Sequence, residues 1–263
     1  MLSPPNAEVG ALLDRLGADI RHALGDRLVG LYLYGSLVAG DFDPAHSDVD
    51  LLAALSSGVG GEDVEGLGRM HARLVEDFPA WNDRIEVDYV PLAALRTFRT
   101  EPGVMIRISP GEPLNLLKAG PHYLVNWYTA RQSGVALFGP PPLELLPEIT
   151  RAEFVAGIRG HADAWPQWVT EMHHPGGQAY AVLTLCRALS TVTHGEQVSK
   201  RRAGLWAQER LPEWHFLISW ALAWRYGGGT QTPDQDHFAE TVRFVREVAG
   251  RIAAVPPWQD RSD

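Results

Sequence analysis

The sequence predicts an α/β or α+β domain over residues 1–145 followed by an all-α helical bundle over residues 146–263. Three observations carry this fold class. A chain of 263 residues exceeds the usual extent of one hydrophobic core, so two modest cores are the natural solution. Helical and strand-type apolar patterns alternate through the first ninety residues, the mark of mixed α and β structure. Beyond about residue 150 nearly every signal has the helical period.

Taken in order, residues 6–24 set Val9, Leu12, Leu13, Leu16, Ile20 and Leu24 at spacings of three and four, the stripe of an amphipathic helix. LVGLYLY, residues 28–34, is an apolar strand-like run that stops at Gly35-Ser36, and VDLLAAL, residues 49–55, is a second. A polar loop with Gly40, Pro44 and His46 joins them. Gly60 and Gly61 introduce a helix over residues 62–78. IEVDYV, residues 85–90, then alternates apolar and charged residues, as a strand with one polar face does. Residues 91–98 suit a short helix, residues 104–109 a strand, and LFGPPP stops the chain near the domain boundary, within residues 138–149. Helices are predicted at residues 151–169, 177–193, 199–210, 213–226 and 234–253, with HHPGG and YGGGTQTPDQ as joints. Six of the nine tryptophans, Trp165, Trp168, Trp206, Trp214, Trp220 and Trp224, fall in this region and are expected chiefly in its core.

Composition narrows the function. Hydrophobic residues at 45% and charged residues at 21% describe an ordinary folded chain. A net charge of −9 argues against a nucleic-acid partner, whose phosphates need a basic surface, and suits a compact or cationic acceptor. Cys186 is the single cysteine, which excludes an internal disulfide and a cysteine-based metal cluster and points to a reducing compartment. The start lacks the basic and apolar regions of a secretory leader, and no run reaches the ~18 apolar residues of a membrane span. A cytoplasmic monomer is expected, with no membrane partner.

The chemistry concentrates in YGSLVAGDFDPAHSDVD, residues 34–50. Gly35-Ser36 closes the first strand with small residues, so backbone amides and a hydroxyl can approach a phosphate, above all if a helix begins there. Asp48 and Asp50 stand two apart on a strand and project from one face, where their repulsion makes sense if a divalent cation neutralises them. An isolated D-x-D is more often a solvated turn. Glu86 and Asp88, paired likewise on the later strand, change that balance by bringing a further acid to the metal site. Either of them would deprotonate an acceptor hydroxyl.

GSLVAGDFDPAHSDVDLL resembles the G-S-x-x-x-G…S-D-x-D signature of the DNA polymerase β-like nucleotidyltransferase superfamily. YAVLTLCRALSTVTHGEQVSKRRAGLWAQERLP, with SGVALFGPPP before it, is similar to the helical domain of the streptomycin and spectinomycin adenylyltransferases. The resemblance implies a mixed-sheet nucleotidyltransferase domain followed by a helical bundle, and transfer of AMP from ATP, with two Mg²⁺ ions, to a hydroxyl of a small acceptor such as spectinomycin. It implies Gly35, Ser36 and Ser47 on the phosphate side, Asp48, Asp50 and Glu86 at the metal, and Glu86 as general base. Arg187, Lys200 and Tyr226 match positions that contact the nucleotide. Asp88 departs from the family, where that position is usually small or neutral; it is either an additional acid on the metal or acceptor side or a charge that raises the pKa of Glu86 by repulsion. The acidic positions that hold a dicationic acceptor fall near His173 and Gly177, which makes streptomycin doubtful and leaves Trp168, Glu171, His173 and His174 as acceptor contacts. Adenylylation of a protein or another hydroxylated metabolite, and a non-catalytic nucleotide sensor, are the alternatives.

Overall fold

The structure, a computed structural model, describes residues 7–227 and 236–258, so the joint expected at residues 226–235 falls largely outside the described residues. The chain divides into two compact units, one of Met1–Phe42 with Ser47–Glu148 and the other of Asp43–His46 with Ile149–Asp263.

The first unit opens with α1 (Ala7–Leu24), whose stripe of Val9, Leu12, Leu13, Leu16, Ile20 and Leu24 is buried throughout. There follow β1 (Leu28–Tyr34), the single turn α2 (Ser36–Ala39), β2 (Val49–Leu55), α3 (Gly61–Asp77) and β3 (Ile85–Pro91). Next come α4 (Leu92–Thr97), β4 (Gly103–Ser109), β5 (Glu112–Ala119), α5 (Leu124–Ser133), β6 (Val135–Phe138) and α6 (Pro142–Leu145). The strands form one mixed sheet in the order β5-β4-β3-β2-β1-β6. β2 and β3 run parallel, as a crossover through a helix such as α3 allows, while the other neighbours run antiparallel.

Alternation along the strands sorts the two faces of the sheet. Leu31, Leu33, Val49, Leu51, Ala53, Leu55, Val87 and Tyr89 join the core cluster that α1 and α3 complete. Each buried leucine there contributes about 1.5–3 kcal/mol. Tyr34, Asp50, Glu86 and Asp88 occupy the intervening positions and so belong to the opposite face. Trp127 of α5 is fully buried and meets Phe98 edge-on at 5.1 Å, so this face too has an apolar floor.

Three elements of the first unit carried little signal. β5 is an edge strand, half-exposed or exposed along nearly all its length, and so lacks a buried alternation. α5 reads LVNWYTARQS, with apolar and polar residues scattered around its circumference, and β6 is four residues long.

The second unit holds α7 (Arg151–Trp168), α8 (Pro175–His194), α9 (Lys200–Arg210), α10 (His215–Tyr226) and α11 (Phe238–Ala254). Thr150 starts α7 with a capping box: its hydroxyl accepts from the Glu153 amide at 3.1 Å while Glu153 Oε2 accepts from the Thr150 amide at 2.8 Å. α8 packs against α7, α9, α10 and α11, and its small and apolar residues are buried all round, as a central helix requires. At Gly204 of α9 an added Cβ would lie 2.9 Å from Leu222 and 3.1 Å from Leu183, so glycine sets the close approach of the helices. Cys186 is fully buried in α8, and burial pushes its thiol pKa up. Trp165, Trp214 and Trp220 are core residues, whereas Trp168 is 44% exposed. Among the described residues no helix is long and apolar enough to cross a membrane.

Candidate active site

Three adjacent strands place one side chain each in a row. Tyr34 of β1 pairs with Asp50 of β2, and Asp50 pairs with Glu86 of β3. Directly paired residues share a face, so a phenol and two carboxylates line up across the sheet. One residue beyond Tyr34 the chain turns sharply at Gly35, where φ is 76° and ψ is −150°, a conformation essentially confined to glycine. A Cβ at Gly35 would stand 1.9 Å from Asp50 Oδ2, so the absent side chain is the space the Asp50 carboxylate fills. α2 begins at Ser36 directly after this turn, and Gly40 closes it in the left-handed region at φ 69°.

Asp48 and Asp50 are both half-buried at the entrance to β2. Two carboxylates of this kind suit a hard divalent cation whose remaining oxygens come from a substrate. Ser47, expected on the phosphate side, is fully buried, and Arg84, placed over Trp81, donates to its carbonyl oxygen at 2.5 Å.

Glu86 is drawn into a different set of contacts from the one its spacing suggests. Its Oε1 accepts from Arg107 Nη2 at 2.9 Å, Asn126 Nδ2 at 3.2 Å and Tyr34 Oη at 3.5 Å, and its Oε2 accepts from Ser109 Oγ at 3.1 Å. Among the described residues no group of three or more His, Cys, Asp and Glu side chains is arranged to hold a metal. Donors from β4, α5 and β1 thus meet Glu86 Oε1, and the Ser109 hydroxyl meets Oε2.

Asp88, the further acid expected on the metal or acceptor side, is 0% exposed and pairs with Arg107 Nη1 at 2.5 Å. Burial pushes its pKa up to about 6; Arg107 opposes that shift and the neighbouring Glu86 reinforces it. Burial acts on Arg107 in the opposite sense, but Asp88 and Glu86 more than offset it and hold the guanidinium firmly charged. Asp88 Oδ2 and Trp127 Nε1 lack hydrogen-bond partners within ordinary limits, although the indole N–H still favours the ionised carboxylate. Tyr34 stays protonated: burial, then the charges of Glu86, Asp88 and Asp50, raise its pKa far above the ordinary phenol value.

Arg107, Ser109 and Asn126 went unrecognised in the sequence. A lone arginine in VMIRIS was the available signal, since a basic residue inside an apolar strand asks for an acidic neighbour, and the register supplies Asp88 opposite it.

In the helical unit, Arg187 and Lys200 are half-buried, and Lys200 Nζ lies 3.8 Å over the Tyr180 ring. The pKa of His161 is pushed down to about 4, by desolvation and then by the charges of Arg187 and Lys200. Trp165 donates to His161 Nδ1 at 3.2 Å, and Trp168 packs edge-on against the same ring at 5.2 Å. Tyr226 carries the Arg201 guanidinium over its ring at 4.1 Å. Within this unit the segment Asp43–His46 places His46 4.8 Å from Trp224, and Arg225 donates to the His46 carbonyl at 3.1 Å. Glu171 is exposed in a single helical turn after α7. His173 packs at a tilt against Phe238, ring centres 4.6 Å apart, and His174 caps α8 by accepting from the Gly177 amide at 3.0 Å. His174 is thus occupied in holding the helix start.

The sequence profile described as aminoglycoside adenylyltransferase, C-terminal domain, matches residues 144–251. A spectinomycin 9-adenylyltransferase of Staphylococcus aureus is 26% identical over 218 residues, covering 76% of this chain and 78% of that protein. An aminoglycoside (3'') (9) adenylyltransferase of Escherichia coli is 24% identical over 264 aligned positions, 95% of this chain and 97% of that one. The crystal structure of a spectinomycin adenyltransferase from Enterococcus faecialis, with ATP and spectinomycin, superimposes with a TM-score of 0.77 at 17% identity, covering 93% of this chain and 99% of that one. That last likeness bears on the fold: a mixed-sheet domain followed by helices.

Proposed function

We propose that this chain, an aminoglycoside adenylyltransferase-like protein, transfers AMP from ATP to a hydroxyl of a small polyhydroxylated acceptor of the aminocyclitol type, with spectinomycin a better fit than streptomycin. The carrying observation is the row of Asp50 and Glu86 on paired strands beside the Gly35-Ser36 turn. A carboxylate held at the start of a strand next to a tight small-residue turn, with a second carboxylate one strand away, supplies charge control and a base.

Asp48 and Asp50 are the residues that would hold Mg²⁺, which supplies neutralisation of the triphosphate charge when bound. Ser36 and the amides of its turn approach phosphate oxygens. Glu86 takes the proton of the acceptor hydroxyl as its oxygen attacks the α-phosphorus. The new P–O bond forms as the bond to the β-phosphate oxygen breaks, and pyrophosphate leaves. Arg187 and Lys200 are assigned to the triphosphate and Tyr226 to the nucleotide, a reading supported by the charge of both cations acting on the one ring of His161.

The acceptor reading rests on what the α7–α8 connection lacks. His173 and Gly177 stand where carboxylates would pair a dication, His173 already packs on Phe238, Glu171 is the acid within that stretch of sequence, and Asp236 is held by Gln178 Nε2 at 3.4 Å. Trp168, exposed on α7, provides an aromatic face for a ring with fewer charges. Incubation with ATP, Mg²⁺ and a panel of aminocyclitols, followed by mass spectrometry, tests the reading. An added AMP on spectinomycin, abolished in Asp50→Asn, is the expected result; no adduct on any panel member would remove the antibiotic acceptor.

A further inference from the structure

The carboxylate just assigned as base meets four donors, and it is satisfied mainly on one side. Three donors converge on Glu86 Oε1, from β4, α5 and β1, while the Ser109 hydroxyl alone among the described residues meets Oε2. Arg107 is the strongest of them and has two arms: Nη2 holds Glu86 at 2.9 Å and Nη1 holds the buried Asp88 at 2.5 Å. Its guanidinium also lies 5.3 Å from the centre of the Tyr123 ring, which limits its freedom further. A forked guanidinium shared between two carboxylates fixes angle as well as distance, which a single-point cation does not.

We infer that Arg107 is a positioning residue for the proposed adenylyl transfer, anchored by Asp88 so that it turns Glu86 Oε1 inward and leaves Oε2 to receive the acceptor proton. The inference rests on the reading of Glu86 as base. It assigns Asp88, unusual at its position, a task away from the acceptor: it is the counter-charge that keeps Arg107 from moving wholly onto Glu86. Without Asp88, Arg107 would be free to swing both arms onto Glu86 and engage the outward oxygen as well. Without Arg107, Glu86 would keep Asn126, Ser109 and Tyr34 but lose the fork that fixes its plane.

A purely structural pair predicts something different, and the double variant separates the two. Arg107→Met/Asp88→Asn removes both charges together, which avoids leaving either one buried alone. Wild type, Glu86→Gln, this double variant and Arg107→Lys are compared for kcat and for the KM of ATP with an acceptor that wild type adenylylates, alongside the unfolding temperature. The expected pattern is an unfolding temperature near wild type in the double variant, an ATP KM within about 2-fold, and a kcat about 10²-fold lower, the loss typical of a reacting group displaced by about 1 Å. Arg107→Lys keeps a cation beside Asp88 but not the second arm, and is expected to lose kcat as well. Wild-type kcat in the folded double variant, or in Arg107→Lys, overturns the inference and leaves the functional reading standing. Absence of transfer by wild type, or full kcat in Glu86→Gln, overturns the functional reading and the inference with it.

Discussion

Replacing Gly35 by alanine tests the site at its most constrained point. With φ at 76° and ψ at −150°, an alanine backbone pays about 1–3 kcal/mol for a conformation that residues with a Cβ avoid. The added methyl would also lie 1.9 Å from Asp50 Oδ2 and 2.7 Å from its Cγ, where ordinary contact begins near 3.4 Å. Relief therefore needs the carboxylate to retreat by roughly 1.5 Å, more than the ~1 Å misplacement that typically costs about 10²-fold in rate. Gly35→Ala is expected to lose at least about 10²-fold in kcat together with about 1–3 kcal/mol of stability. Gly40 is the matched control: its φ is also positive, at 69°, but an added Cβ meets nothing within 4 Å. Gly40→Ala is expected to cost about 1–2 kcal/mol of backbone strain with kcat within about 2-fold. Urea unfolding gives the stabilities, and pyrophosphate release with saturating ATP, Mg²⁺ and acceptor gives the rates. Wild-type kcat in a folded Gly35→Ala, or equal losses of rate in the two variants, would refute the argument that steric room for Asp50 is what the glycine provides.

Two further predictions concern stability. His71 is buried beneath the sheet, shares a hydrogen bond of 2.8 Å with Tyr89 Oη, and has its pKa pushed down to about 4 by burial. Above pH 6.5 both folded and unfolded states hold it neutral and it adds no pH dependence; between pH 6.5 and about 4 the unfolded chain gains a proton that the folded one refuses, so stability falls with falling pH by up to about 3 kcal/mol. His71→Gln is expected to flatten that part of the stability curve relative to wild type in urea titrations at a series of pH values. Thr150→Ala removes the cap of α7 and is expected to lower stability by about 1 kcal/mol, read from the same unfolding measurement, with kcat unchanged.

Strands β1 and β2 and the five long helices of the second unit were legible because their apolar residues follow the period of the element they form. The strand position of Asp50 was legible for the same reason, since alternation sets it on the face away from Val49 and Leu51, while Asp48 precedes the first residue of β2. The partner of Asp50 was not. Glu86 lies 36 residues on, and whether it or a neighbour sits opposite depends on a parallel register that one-strand patterns do not contain. Asp88 shows the limit most clearly: alternation assigns it to the same face as Glu86, yet its neighbour across the next strand is Arg107, which turns an apparent extra acid into half of a buried pair. His174 is a comparable case, because a histidine in HHPGG reads as a loop residue until the helix start it caps is in view.

The solitary thiol of Cys186 has a practical corollary. It sits at zero exposure in the middle of α8, with helices packed around it. A thiol-specific reagent added to the native protein therefore has one target, and reaches it only when α8 parts from its neighbours. The rate of that reaction is a clock for the opening of the helical bundle alone, carried by the wild-type chain without label or mutation, and slowing of the clock by added ATP would report nucleotide binding before any product is made.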